Sequence, residues 1–134
     1  MADISKINGY NVKDATCRSN YANLINFSTP SFNTEQTLGT IGGKTVYRKI
    51  IRNTSTHTST YTIDSALKSS NVVDVLMFHG THKISAGNWI GDIDQYTGST
   101  RGYILGAITS SGVTVQISGF EVVESVIDII YTKS

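Results

Sequence analysis

The chain has 134 residues, with 11 Lys and Arg against 10 Asp and Glu, a formal charge of +1. That balance offers no long-range field to gather nucleic acid or an acidic membrane surface, and no apolar run approaches the ~18 residues that span a bilayer. Charged residues make up only 16%, so the 16 Ser and 17 Thr take over as surface polar groups.

Thr-, Tyr-, Val- and Ile-rich segments punctuated by 12 Gly favour pleated sheet over helix. The chain divides into an N-terminal hairpin and connector, 1–30, and a β-sandwich domain, 31–134. In the first part, "KINGYNVKDA" places Asn8-Gly9, a strong two-residue turn signal, between Ile7 and Tyr10-Val12. A brief helical turn follows with Asp14 as N-cap, then an irregular connector around Pro30. "MADISKING" lacks the apolar stretch of a secretion signal. Synthesis in a cytoplasm is the expectation. Cys17 has no second cysteine to pair with and no histidine nearby in the sequence, so it reads as a small packed thiol.

From Thr45 onward strands dominate. "KTVYRKIIR" sets Val46, Arg48 and Ile50 on one face, with Thr45, Tyr47, Lys49 and Ile51 on the other. "TSTYTIDSAL" alternates again, Tyr61 and Ile63 against Thr60 and Thr62. "NVVDVLMFHGTHKIS" is the most apolar run and reads as a central strand. "TRGYILGAITSS" and "GVTVQISGF" form a hairpin about Ser110-Ser111-Gly112. In the last strand Ile127, Ile129 and Tyr131 point one way, and Val126, Asp128 and Ile130 the other. Short strands with turn signals between them predict an all-β, antiparallel, jelly-roll-like sandwich of six to eight strands. Its expected core is Val73, Val75, Met77, Leu105, Val115, Ile117, Ile127 and Ile129.

Catalytic and metal signals are sparse. His79 and His82 are three apart, a spacing that shares a face on a helix but not on a strand, and no third ligand sits at a fixed offset. Asp92 and Asp94 form a D-x-D pair without the further oxygens of a calcium loop. Many serines could complete a Ser-His-Asp set, but no nucleophile elbow is present. Gly42-Gly43 precedes a strand instead of a helix N-terminus, which excludes a phosphate cradle. The expectation is a protein without catalytic residues, metal or cofactor.

A binding surface is better supported. "AGNWIGDIDQYTGSTRGY", 86–103, reads as a long polar loop with the single Trp and two tyrosines. Aromatic faces stack on sugar rings, and Asn, Asp, Gln and Thr groups bond their hydroxyls. Trp89, Asp92, Asp94, Tyr96 and Arg101 are the candidate ligand-binding residues. Trp89 has two readings, a sugar platform or an anchor of the loop in the core.

"INGYNVKDATCR" resembles an element that precedes the terminal domains of phage tail and baseplate proteins, with Cys17 where that element carries Ala. "FNTEQTLGTIGGKTVYRKII" is similar to a second hallmark of those proteins through Phe32, Thr34, Glu35, Gly39, Gly43, Lys44, Tyr47, Arg48 and Lys49. Ile41 replaces its usual aromatic, and the turn is Gly-Gly in place of Asp-Gly. "SVIDIIYTKS" resembles the last strand of the same domains. The resemblance implies the tip of a tail fibre, tail or baseplate, made in the bacterial host cytoplasm and carried on the virion. It implies a homotrimer among other tail and baseplate proteins, adhering to host cell-surface glycan without nucleic acid or membrane insertion. The alternative is a purely structural module with no external ligand. On this reading the Gly42-Gly43 stretch is a hairpin turn, with Arg48 paired to Glu35 or to a neighbouring subunit.

Overall fold

The computed structural model describes residues 6–7, 10–11 and 31–134. The helical turn expected at Asp14, Cys17 and the connector at Pro30 lie outside the described residues. The chain forms two compact units, Met1–Ser31 and Phe32–Ser134. In the first, β1 (Lys6–Ile7) and β2 (Tyr10–Asn11) pair antiparallel with Ile7 opposite Tyr10, the register that a two-residue Asn8-Gly9 connection demands.

The second unit is an antiparallel sandwich of nine strands among the described residues. They are β3 (Glu35–Ile41), β4 (Lys44–Asn53), β5 (Tyr61–Asp64), β6 (Val72–Ile84), β7 (Trp89–Gly91), β8 (Ile93–Thr97), β9 (Thr100–Thr109), β10 (Gly112–Ser118) and β11 (Val122–Lys133). One sheet runs β3-β4-β11-β6-β7 and the other β5-β10-β9-β8. Gly42 and Gly43 both have positive φ, 55° and 78°, as a two-residue I′ turn between β3 and β4 requires. The Gly-Gly pair is a plain hairpin turn. Ser110-Ser111 turns β9 into β10, with Thr109 opposite Gly112.

The core lies between the sheets. Ile51, Val122, Ile127, Ile129 and Tyr131 from the five-stranded sheet meet Ile104, Val113, Val115 and Ile117 from the four-stranded one. Each such Val or Ile contributes about 1.5–3 kcal/mol by leaving water. The face assignments for β4, β5 and β11 hold: Ile51, Tyr61, Ile63, Ile127, Ile129 and Tyr131 all turn inward.

Four of the eight expected core residues do not reach that core. On β9, Ile117 opposes Ile104 and Val115 opposes Gly106, so Ile104 points inward and Leu105 to the outer face. On β6, irregularities in the pairing with β11 reset the alternation: Phe78 opposes Ile129, Met77 opposes Ile130, and Val75 opposes Tyr131, leaving Leu76 as the extra residue. Met77 therefore sides with outward Ile130, while Val73 and Val75 are about half exposed. The segment 86–103 is also no long loop. It supplies β7 to one sheet and β8 to the other, joined to β9 by a turn at Gly98-Ser99. These two strands raise the count above the expected six to eight.

Candidate functional site

The crossover from β7 to β8 divides the five candidate residues. Ile93 and Gln95 oppose Ile104 and Gly102. Asp94, Tyr96, Arg101 and Tyr103 thus share the outer face of the four-stranded sheet. Asp94 accepts two hydrogen bonds from Arg101, from Nε at 2.8 Å and from an Nη at 2.7 Å. The guanidinium also stacks 4.8 Å from the Tyr103 ring centre. The Arg101 hydrogen bonds hold the Asp94 carboxyl below its ordinary range, and Asp94 in turn raises the Arg101 pKa. Tyr96 stands opposite Arg101 and is 69% exposed, the most open large apolar side chain among the described residues. Tyr103 is a member of this face that the sequence candidates omit. Its signal is parity: it lies two residues after Arg101 on one strand, hence on the same face.

Trp89 belongs to the other sheet, opposite Lys83 on β6, and is 49% exposed. It does not anchor the core. Asp92 leaves the β8–β9 outer face and reaches buried His82, its own side chain remaining about a third exposed. Its Oδ1 lies 2.7 Å from His82 Nε2, and its Oδ2 accepts from the Gly106 backbone N–H at 3.1 Å. His82 Nδ1 lies 2.9 Å from Ser125 Oγ, which contacts the Tyr61 hydroxyl at 2.8 Å. With Asp92 accepting from Nε2–H, the ring's Nδ1 accepts from Ser125, and Ser125 accepts from Tyr61. Burial raises the Tyr61 pKa, and the hydrogen bond to Ser125 opposes that rise only in part. Tyr61 also stacks on His57, with ring centres 3.5 Å apart.

These contacts assemble serine, histidine and aspartate in the order of a hydrolase relay. Ser125 and His82 have no exposed surface, however, so no substrate carbonyl reaches the hydroxyl. The chain of contacts starts on β5, passes through β11 and β6 and ends on β9. It is a polar tie between the two sheets. His79, by contrast, faces outward opposite Asp128, as an odd spacing on a strand requires. Among the described residues no group of three or more His, Cys, Asp or Glu is arranged to hold a metal ion.

A second polar cluster closes the β3 edge of the sandwich. Tyr131 Oη donates to Glu35 Oε2 at 2.5 Å, and Lys133 Nζ donates to Glu35 Oε1 at 2.6 Å. Lys49 pairs with Asp64 across the sheets at 2.6 Å. Burial pushes the Glu35 carboxyl up, but the bonds from Lys133 and Tyr131 outweigh it and the net shift is downward. Burial and the Glu35 carboxylate both raise the Tyr131 phenol. Arg48 does not pair with Glu35, one of its two expected partners; it grips Asp128 through two bonds of 3.0 and 2.6 Å. The reason is parity: Glu35 sits opposite Lys49, on the inward face, whereas Arg48 points outward.

No protein-family model, curated protein or solved structure matches this chain.

Proposed function

We propose that this chain is a receptor-binding tip of a phage tail or tail fibre, carried on the virion and adhering to host-surface carbohydrate without catalysis. The observation that carries the reading is the β8–β9 outer face, where a largely bare Tyr96 ring flanks the Asp94–Arg101 pair. The ring offers a stacking platform, and the pair offers donors and acceptors to sugar hydroxyls. Because Asp94 neutralises Arg101, the face suits a neutral glycan better than an acidic one. Stacking contributes about 0.5–1.5 kcal/mol beyond buried area, so single sites of millimolar to micromolar strength are expected. The three hallmark segments of the sequence lend the phage assignment its support.

The test pairs binding with melting. Purified host cell-wall carbohydrate and a glycan array are probed with the wild-type chain, Tyr96→Ala and Trp89→Ala. Saturable binding that Tyr96→Ala abolishes and Trp89→Ala retains, at unchanged melting temperatures, is the expected result. Absence of saturable wild-type binding to any glycan would remove the adhesion reading. A purely structural role within the tail is the second reading, favoured by an apolar patch on the opposite sheet.

A further inference from the structure

Five of the eight exposed large hydrophobic side chains among the described residues gather at one end of the five-stranded sheet: Leu38, Ile41, Val73, Val75 and Leu76. Concentrations of this kind mark contact surfaces more often than chance exposure. Three are placed there by irregularities in the strands, one of them Val73, the extra residue between Val72 and Asp74 on β6. Leu38 is the extra residue between Thr37 and Gly39 on β3, and Leu76 is the extra residue between Val75 and Met77 on β6. Leu38 and Leu76 line one depression of about 270 Å³ floored by Val46 and Ile130. A second depression, about 530 Å³, shares Ile41 and Leu76 with it and ends at the Lys44–Asp74 pair.

The charges on the outer face, which carries Leu38, Ile41 and Leu76, are ordered. Lys44, Arg48 and Arg52 occupy alternate outward positions along β4, every fourth residue. Their acids are Asp74 on β6 and Asp128 and Glu124 on β11, at 2.9, 2.6 and 2.6 Å. Arg48 and Arg52 on β4 therefore run beside Asp128 and Glu124 on the adjacent β11, while Asp74 lies one strand further on β6.

We propose that this face binds a second copy of the chain about a two-fold axis parallel to the strands, midway between β4 and β11. That rotation sets β4 of one copy over β11 of the other, so Arg48 and Arg52 meet the acidic strand that carries the partner's Asp128 and Glu124. It also sets β3 over β6, because these strands flank the axis symmetrically in the order β3-β4-β11-β6. Leu38 of one copy then covers Leu76 of the other, and Ile41 stands over the larger depression. Like charges would face each other under an axis perpendicular to the strands in the plane of the contact, which selects this arrangement over that one. The contact is isologous, the commonest kind in homo-oligomers, and aligned sheet faces pack at about 10 Å. The surface lies on the sheet opposite Tyr96, so it is independent of the carbohydrate reading, and it gives a two-fold pair in place of the homotrimer that the resemblance implies.

Sedimentation velocity on the full chain across the micromolar range tests it. The expected result is a concentration-dependent rise to twice the 14.5 kDa chain mass. Leu38→Ser with Leu76→Ser should weaken association about tenfold or more at an unchanged melting temperature. If that double variant melts early, Ile41→Asp at the exposed hairpin turn supplies the same reading. A single-chain mass at all concentrations overturns the proposal. So does a three-chain mass, or an association that a folded variant leaves unchanged.

Discussion

A Cβ at Gly80 would stand 2.6 Å from Asp92 Oδ1, the oxygen that lies 2.7 Å from His82 Nε2. Glycine at this position makes room for the carboxylate in the polar tie between the sheets. Gly80→Ala should displace Asp92 and cost about 1–3 kcal/mol. Urea denaturation reads this directly, and an unchanged midpoint would show that Asp92 has room to spare.

Ser125 is the relay point of the same tie, at 2.8 Å from the Tyr61 hydroxyl and 2.9 Å from His82 Nδ1. Ser125→Ala leaves a phenol and an imidazole nitrogen without their partner, a loss of about 1–3 kcal/mol. Tyr61→Phe removes only the first donor and should cost less. In a double-mutant cycle the two losses should be clearly non-additive. Strict additivity would mean that the hydroxyls act separately.

Acid should loosen the sandwich through Glu35 and Asp64. Both carboxyls are held below their ordinary values of 4.5 and 3.8: burial raises each, but Lys133 and Tyr131 on Glu35, and Lys49 and the Ala66 N–H on Asp64, prevail. A lowered folded-state pKa means that the unfolded chain binds protons first as pH falls. The stabilisation is complete above the ordinary values and is lost as pH drops through the lowered ones. Stability followed from neutral pH to about pH 3 should decline below pH 4.5, and Glu35→Gln should flatten that decline. A wild-type stability that is level across this window would contradict the assignment.

How legible each strand is in the sequence depends on how strongly it marks its two faces. On β11 the acids Glu124 and Asp128 mark the outer face and assign Ile127 and Ile129 to the interior, whereas β4 carries an isoleucine on each face, and only the pairing of Ile51 with Ile127 puts it inside. β9 carries apolar residues on both faces, and Leu105 and Ile104 look equivalent unless parity is counted from the outward Arg101. β6 misleads for a different reason. Its two extra residues, Val73 and Leu76, are invisible to alternation because only the pairing with β11 reveals them. The candidate site is legible in part. Asp94, Tyr96 and Arg101 do come together, while the strand break at Asp92 turns that carboxylate to His82 and leaves Trp89 on the other sheet.

Gly112 should be the least replaceable glycine of the hairpin turns. It opens β10 after the Ser110-Ser111 turn with φ of 131°, and a Cβ there would overlap the Asp64 carbonyl oxygen and stand 2.8 Å from Ser65 Cα. Both obstacles are backbone, so no side-chain rotation relieves them. They sit where β5 ends against β10, at the irregularity between Val113 and Thr114. Gly112→Ala must therefore part β5 from β10 or distort the turn, at a cost of about 4 kcal/mol or more. Gly98, in the β8–β9 turn, also has positive φ, 65°, but a methyl added there would meet nothing within 4 Å. Gly98→Ala bears only the left-handed backbone penalty, about 1–2 kcal/mol. Guanidinium denaturation of the two variants separates clash from strain. Equal losses would mean that φ alone governs both positions, and that β5 yields to the added carbon.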